Sequence, residues 1–206
     1  IYFNGIWESP FNENQTRLKM FYPSIKKAQK ARFMNQKETY NYLNTDTFES
    51  LELPYAGKTL SMIIVMPKEN QNNFKLSSED LLAIFNDSKP TLLKISIPKF
   101  KIKSSFPRFQ NRLIEMGLNI PFTNQADFSP MNEFRSLDIK ISKVIHKATI
   151  EVSEHGTEAS AATAVIGVRK SLDRTPEFTA NRPFQFFIKD NQTQSILFLG
   201  QVNQLP

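Results

Sequence analysis

Two imidazoles, His146 and His155, are the side chains of this 206-residue chain best suited to moving protons near neutral pH. His146 could act as a general base, but the sequence contains no cysteine and marks no serine as a nucleophile for it to serve. A structural, hydrogen-bonding histidine is the simpler reading of His146, and a solvated one that of His155. Neither a metal-ligand spacing nor a glycine-rich phosphate loop is present, so an enzyme finds no support. The stretch that stands out is instead poor in reactive groups. It runs Glu154-His155-Gly156-Thr157-Glu158-Ala159-Ser160-Ala161-Ala162-Thr163-Ala164-Val165-Ile166-Gly167-Val168-Arg169-Lys170-Ser171. A fixed core strand carries larger side chains than these, and a flexible linker carries more Gly and Ser. Drawn out as a strand, residues 157–167 put Thr157, Ala159, Ala161, Thr163, Val165 and Gly167 on one uncharged face. The opposite face carries Glu158, its one charge. Such a segment is composed for burial in a sheet, which suits a switch between an exposed and an inserted state.

The elements that must hold this segment are mostly strands. Residues 60–66 form a short apolar run closed by Pro67, as in a strand buried on both faces. Ser77-Ser78-Glu79-Asp80 ahead of Leu81, Leu82, Ile84 and Phe85 predicts a capped helix that stops before Pro90. Residues 92–97 alternate and continue past Pro98 into Phe100 and Ile102, and Phe109, Leu113 and Met116 recur at helical spacing before Gly117. From Leu137 to Val152 the alternation changes phase near Ser142-Lys143, predicting a turn or bulge between two extended pieces. Residues 184–188 and 196–199 flank a polar turn and predict a hairpin. Without repeats or a linker, one mixed α+β domain is the expectation.

An apolar content of 40% with 18 Phe is enough for a real core. The formal charge of +6 permits attraction to polyanions, but Lys94, Lys99, Lys101, Lys103, Lys140, Lys143 and Lys147 lie on strand-like stretches whose alternate side chains face solvent anyway. These read as a solvated face, with no nucleic-acid partner expected. The glycosylation triplets at Asn14, Asn86 and Asn191 point towards secretion. No apolar run approaches the roughly 20 residues that span a bilayer. The start on Ile1-Tyr2-Phe3 suggests a processed chain or the later part of a longer one.

Glu154-x-Gly-Thr-Glu-Ala-x-Ala-Ala-Thr163 resembles the hinge of the serpins, serine protease inhibitors that trap their targets by loop insertion. The likeness extends in order through Tyr2-Phe3-Asn4-Gly5-Ile6-Trp7-Glu8, Ser61 to Pro67, Ile97-Pro98-Lys99-Phe100, Ala126-Asp127-Phe128-Ser129, Val144-Ile145-His146-Lys147-Ala148 and Asn181-Arg182-Pro183-Phe184. It implies a multi-sheet mixed β fold with surrounding helices, of which residues 1–206 are the C-terminal portion of one domain, with the reactive-centre loop at about 154–178. It further implies that the hinge is Glu154, Gly156, Thr157, Glu158, Ala159, Ser160, Ala161, Ala162 and Thr163. Trp7 is then a packing residue near the top of the central sheet, and His146 lies under the sheet where the loop enters. Seventeen positions counted from Glu154, the family's spacing, select Lys170-Ser171 as the reactive bond, with Arg169 and Arg174 as alternatives. Either cation suits a protease whose primary pocket holds a carboxylate. The implied partner is a trypsin-like serine protease held in a covalent complex, the inhibitor a secreted monomer without metal or required cofactor. Arg108 and Arg112 could join a glycosaminoglycan site, as the corresponding region does in a few serpins. A non-inhibitory serpin acting as carrier or chaperone is the alternative.

Overall fold

A computed structural model of the chain describes residues 2–24, 26–68, 74–131, 139–157 and 175–205. In chain order its elements are β1 (Gly5–Ile6), β2 (Arg17–Ser24), β3 (Lys27–Asn44), β4 (Phe48–Pro54), β5 (Leu60–Pro67), α1 (Ser78–Asp87), β6 (Lys89–Pro98), β7 (Phe100–Phe106), α2 (Phe109–Glu115), β8 (His146–Val152), β9 (Gly156–Thr157), β10 (Glu177–Thr179), β11 (Phe184–Asp190) and β12 (Ile196–Val202). The chain divides into two units, one of Ile1–Phe3 and Ile102–Ile150, the other of Asn4–Lys101 and Glu151–Pro206.

The larger unit is built on an eight-stranded sheet ordered β10-β6-β3-β4-β5-β11-β12, with β2 paired to β3. Residues 61–66 of β5 are all buried, between β4 and β11, as a strand covered on both faces and free of charge requires. The expected cap starts α1: Ser77 Oγ accepts from Asp80 N at 3.1 Å, and Asp80 Oδ2 accepts from Ser77 N at 2.8 Å. The helix ends at Asp87, ahead of Pro90. Ile84 carries it onto a cluster of Phe48, Ile63, Val65 and Phe187, a burial worth roughly 1.5–3 kcal/mol. The predicted hairpin is β11-β12, its turn held by Asp190 Oδ1, which accepts from Gln192 N and Thr193 N.

In the smaller unit α2 stops where Gly117, at φ +98°, takes a backbone conformation that other residues rarely adopt. Gly117 N then donates to Ile114 O and Leu118 N to Leu113 O, satisfying two terminal carbonyls. The expectation of two extended pieces around Ser142-Lys143 is corrected for the described residues. Residues 139–145 have no regular structure, and β8 begins only at His146. Ile141 N donates to Pro121 O rather than to a strand ladder. Alternating side chains record apolarity along the chain, not whether a partner strand is present, so the pattern alone overstated the strand.

Candidate functional site at the base of the loop

The start of the sequence-predicted loop is tied to the segment that follows β1. Ser153 and Gly156 exchange backbone hydrogen bonds of 2.9 and 3.2 Å, closing a tight turn through Glu154 and His155. Gly156 has φ +137°, and a Cβ there would lie 2.1 Å from Gly5 O and 2.7 Å from Ile6 Cα. Both conformation and space therefore demand glycine. That close approach lets β9 pair antiparallel with β1, Thr157 opposite Gly5 and Gly156 opposite Ile6. Trp7 N donates to His155 O at 3.0 Å and Phe11 N to Glu154 O at 2.8 Å, continuing the contact beyond the ladder. The Trp7 ring is buried, stacks on Tyr55 at 4.6 Å and donates from Nε1 to Ser153 O at 2.9 Å.

Charge completes this clamp. Asn12 caps a short 3-10 turn, Glu13–Gln15, which presents Glu13 and Thr16 to His155 and Glu154. Glu154 is 3% exposed; Thr16 Oγ1 donates to its Oε1 at 2.8 Å, and Lys99 Nζ lies 2.5 Å from its Oε2. Burial pushes the Glu154 carboxyl pKa up, but the hydrogen bonds from Lys99 and Thr16 outweigh it and hold the group below its ordinary value. The carboxylate therefore stays charged. His155 Nε2 lies 2.7 Å from Glu13 Oε1, with only 12% of the imidazole exposed, which corrects the expectation of a solvated side chain. Lys99 and Lys101 keep the solvent exposure expected of that face, and within it Lys99 serves Glu154 and Lys101 pairs with Glu151.

Past the loop the chain is fixed differently. Lys94 N donates to Pro176 O at 3.0 Å, and β10 pairs parallel with β6, Phe178 opposite Ile95. Phe178 and Ala180 are completely buried. Lys170, Ser171, Arg169 and Arg174, with Glu158, Ala159, Ser160, Ala161, Ala162 and Thr163, lie outside the described residues. Thr157 is described through its backbone pairing.

His146 has ring neighbours where the sequence suggested hydrogen bonding. Phe106 and Phe109 approach its ring at 5.5 and 4.9 Å, and it has no hydrogen-bond partner among the described residues. Arg108 is exposed, while Arg112 pairs with Glu115 at 2.6 Å, which weakens that pair of arginines as an anion site. Asn14 and Asn86 are exposed. Asn191 is half-buried and donates from Nδ2 to both Lys58 O and Ser61 Oγ, so its amide is structurally engaged. No group of three or more His, Asp or Glu among the described residues could hold a metal ion. The clamp residues that sequence reasoning missed are Gly5, Glu13, Thr16 and Tyr55. Their partners are more than a hundred residues away for Gly5, Glu13 and Thr16, and no local spacing signals them.

A mixed β-sheet fold that ties down both ends of one long connection, by a polar clamp and an apolar anchor, defines a loop-presenting class of protein. The family model described as Serpin (serine protease inhibitor) matches residues 1–205, and the chain belongs to the serpin family. It is 41% identical to an uncharacterized serpin-like protein of Methanosarcina acetivorans, over 98% of this chain and 48% of the relative. It is 38% identical to intracellular coagulation inhibitor 2 of Tachypleus tridentatus, over all of this chain and 51% of the relative. Human thyroxine-binding globulin, in complex with its ligand, is similar in structure with a TM-score of 0.85 and 27% identity, over 98% of this chain and 54% of that one. The chain thus spans about half the length of the relatives it matches. The β-rich fold with two helices among the described residues is part of the serpin fold.

Proposed function

We propose that the protein is an inhibitory serpin that traps trypsin-like serine proteases, this chain being the C-terminal portion of its single domain. A protease would attack the carbonyl of Lys170, forming an ester to its own serine and releasing Ser171 as a new amino terminus. The segment after Gly156 would then enter the central sheet as an added strand before water reaches the ester. About fourteen inserted residues at ~3.3 Å each carry the acylated end about 45 Å, enough to distort the protease. Each inserted residue gains ladder hydrogen bonds, so the starting state can be metastable. The observation that carries the reading is the pair of anchors, β9 before and β10 after, separated in sequence by a segment whose residues 159–168 carry no charge. Support also comes from a relative named as a coagulation inhibitor.

The test is incubation of the full-length protein with trypsin. An SDS-stable complex is expected, with a released fragment beginning at Ser171; a fragment beginning at Lys170 or Thr175 would move the reactive bond to Arg169 or Arg174. Turnover without a complex overturns inhibition and favours the carrier reading, which the similarity to thyroxine-binding globulin motivates. Thr157→Pro should convert inhibitor to substrate, and unchanged complex formation would remove Thr157 from the hinge. Secretion as a monomer, with glycans at Asn14 and Asn86, belongs to the same reading and is tested by peptide mass spectrometry of the protein recovered from culture medium.

A further inference from the structure

Residues 14–37 contain seven Lys and Arg and no Asp or Glu, while the other 182 residues carry 19 basic against 20 acidic side chains. The net charge of +6 is therefore concentrated on the hairpin made by β2 and the first half of β3. In its ladder Leu18 lies opposite Arg32 and Met20 opposite Lys30, and directly opposed residues share a face. Leu18, Met20 and Tyr22, on that same alternation, are 69%, 37% and 44% exposed. Lys26, Lys27, Lys30 and Arg32 are exposed and have no acidic partner among the described residues. Elsewhere in the unit the pattern is the opposite: Lys58, Lys94, Lys99, Lys101 and Lys189 each pair with a glutamate. The hairpin is the one large concentration of uncompensated cations around an exposed apolar stripe in the described part of this unit.

We propose that this face is a secondary docking surface for the target protease, recognising an acidic patch outside the protease's cleft; it rests on the inhibitory reading above. Leu, Met and Tyr at the centre with Lys and Arg around them match a protein interface, where aromatics, Met and Arg are enriched and charges sit at the rim. A sulfated polymer would be met by cations alone, and the exposed Leu18 would contribute nothing. Position selects the protease among protein partners. β2 pairs with β3, β3 with β6, and β6 with β10, the strand on which the loop rejoins the sheet. Three strand spacings put the hairpin about 14 Å from that anchor. A specific interface takes roughly 20–30 residues a side, more than a bait loop supplies, so a protease seated on the loop needs further surface. Cations at such a rim act mainly on the encounter rate, by steering an oppositely charged partner.

The experiment compares complex formation by the full-length protein with anionic and cationic trypsins, which share the pocket for Lys but differ in surface charge. The wild type should associate about tenfold faster with the anionic form at low salt, the preference fading as salt is raised. The double variant K30E/R32E should abolish that preference while leaving the stoichiometry of inhibition unchanged. Leu18→Ser with Tyr22→Ser should slow both trypsins without altering the salt dependence. An unchanged rate ratio in K30E/R32E overturns the proposal. Loss of heparin retention, or of binding to phosphatidylserine vesicles, with unchanged trypsin rates also overturns it and assigns the hairpin to a polyanion. If the wild type forms no covalent complex with either trypsin, the inhibitory reading fails by itself. The docking face is then read from binding of catalytically inactive anionic trypsin, and equal affinity of wild type and K30E/R32E overturns it.

Discussion

The two ends of the connection between β9 and β10 are held by opposite physics. At the proximal end a two-residue ladder, a tight turn and a buried carboxylate hold Glu154 to Thr157 against residues 5–16 and Lys99. At the distal end Phe178 and Ala180 are sunk in the core and β10 lies along β6. Polar contacts can be exchanged for water or for new strand partners at small net cost, because each broken hydrogen bond is replaced. Buried aromatic surface has no such substitute. The contrast fits a loop that opens at one end and stays anchored at the other.

That contrast can be broken at either end. Phe178→Ala should have the largest effect, lowering stability by about 3–5 kcal/mol through lost burial and a cavity, read as a shift in the urea midpoint of the full-length protein. Gly156→Val should lower stability by about 2–3 kcal/mol through steric conflict with Gly5 O and the positive φ. Its signature is local: amide exchange at Trp7 and Phe11, whose N–H groups bond the His155 and Glu154 carbonyls, should accelerate more than global unfolding does. If both variants moved only the global midpoint, the two ends would be equivalent and the contrast would fail.

Glu154→Gln should weaken the clamp by about 1–2 kcal/mol, since Lys99 keeps an acceptor but loses the charge. The pH dependence follows from the lowered Glu154 pKa. The unfolded state takes up the proton first as pH falls, so the stabilisation is complete above the ordinary carboxylate range and is lost on acidification towards the folded-state value. The stability gap between wild type and Glu154→Gln should narrow below about pH 4; a constant gap would show that charge is not what Glu154 contributes. His155→Gln should change stability by no more than about 0.5 kcal/mol, because its partner Glu13 is 63% exposed.

Local pattern carried the elements whose determinants are neighbours in sequence. The Ser77–Asp80 cap, the doubly buried β5, the stop of α2 at Gly117 and the β11-β12 turn are all written within a few residues, and all are present. The same reasoning failed for residues 139–145, and it left β3 unmarked. Lys27–Asn44 is eighteen residues long and rich in Lys, Asn and Gln, and its strand state is fixed by pairing with β2, β4 and β6 rather than by its own alternation.

For the site, the sequence by itself determined the loop's composition, its cations at Arg169, Lys170 and Arg174, and the glycine at position 156. Only the tertiary structure decided what holds that loop. It brought Thr16 within 2.8 Å of Glu154 across 138 residues, Glu13 to His155 across 142, and Trp7 to Ser153 across 146. It also put Gly5 O where a Cβ at position 156 would have to be. Composition and alternation are properties of neighbours along a chain, whereas a hydrogen bond or a steric conflict depends on distances that the fold alone sets.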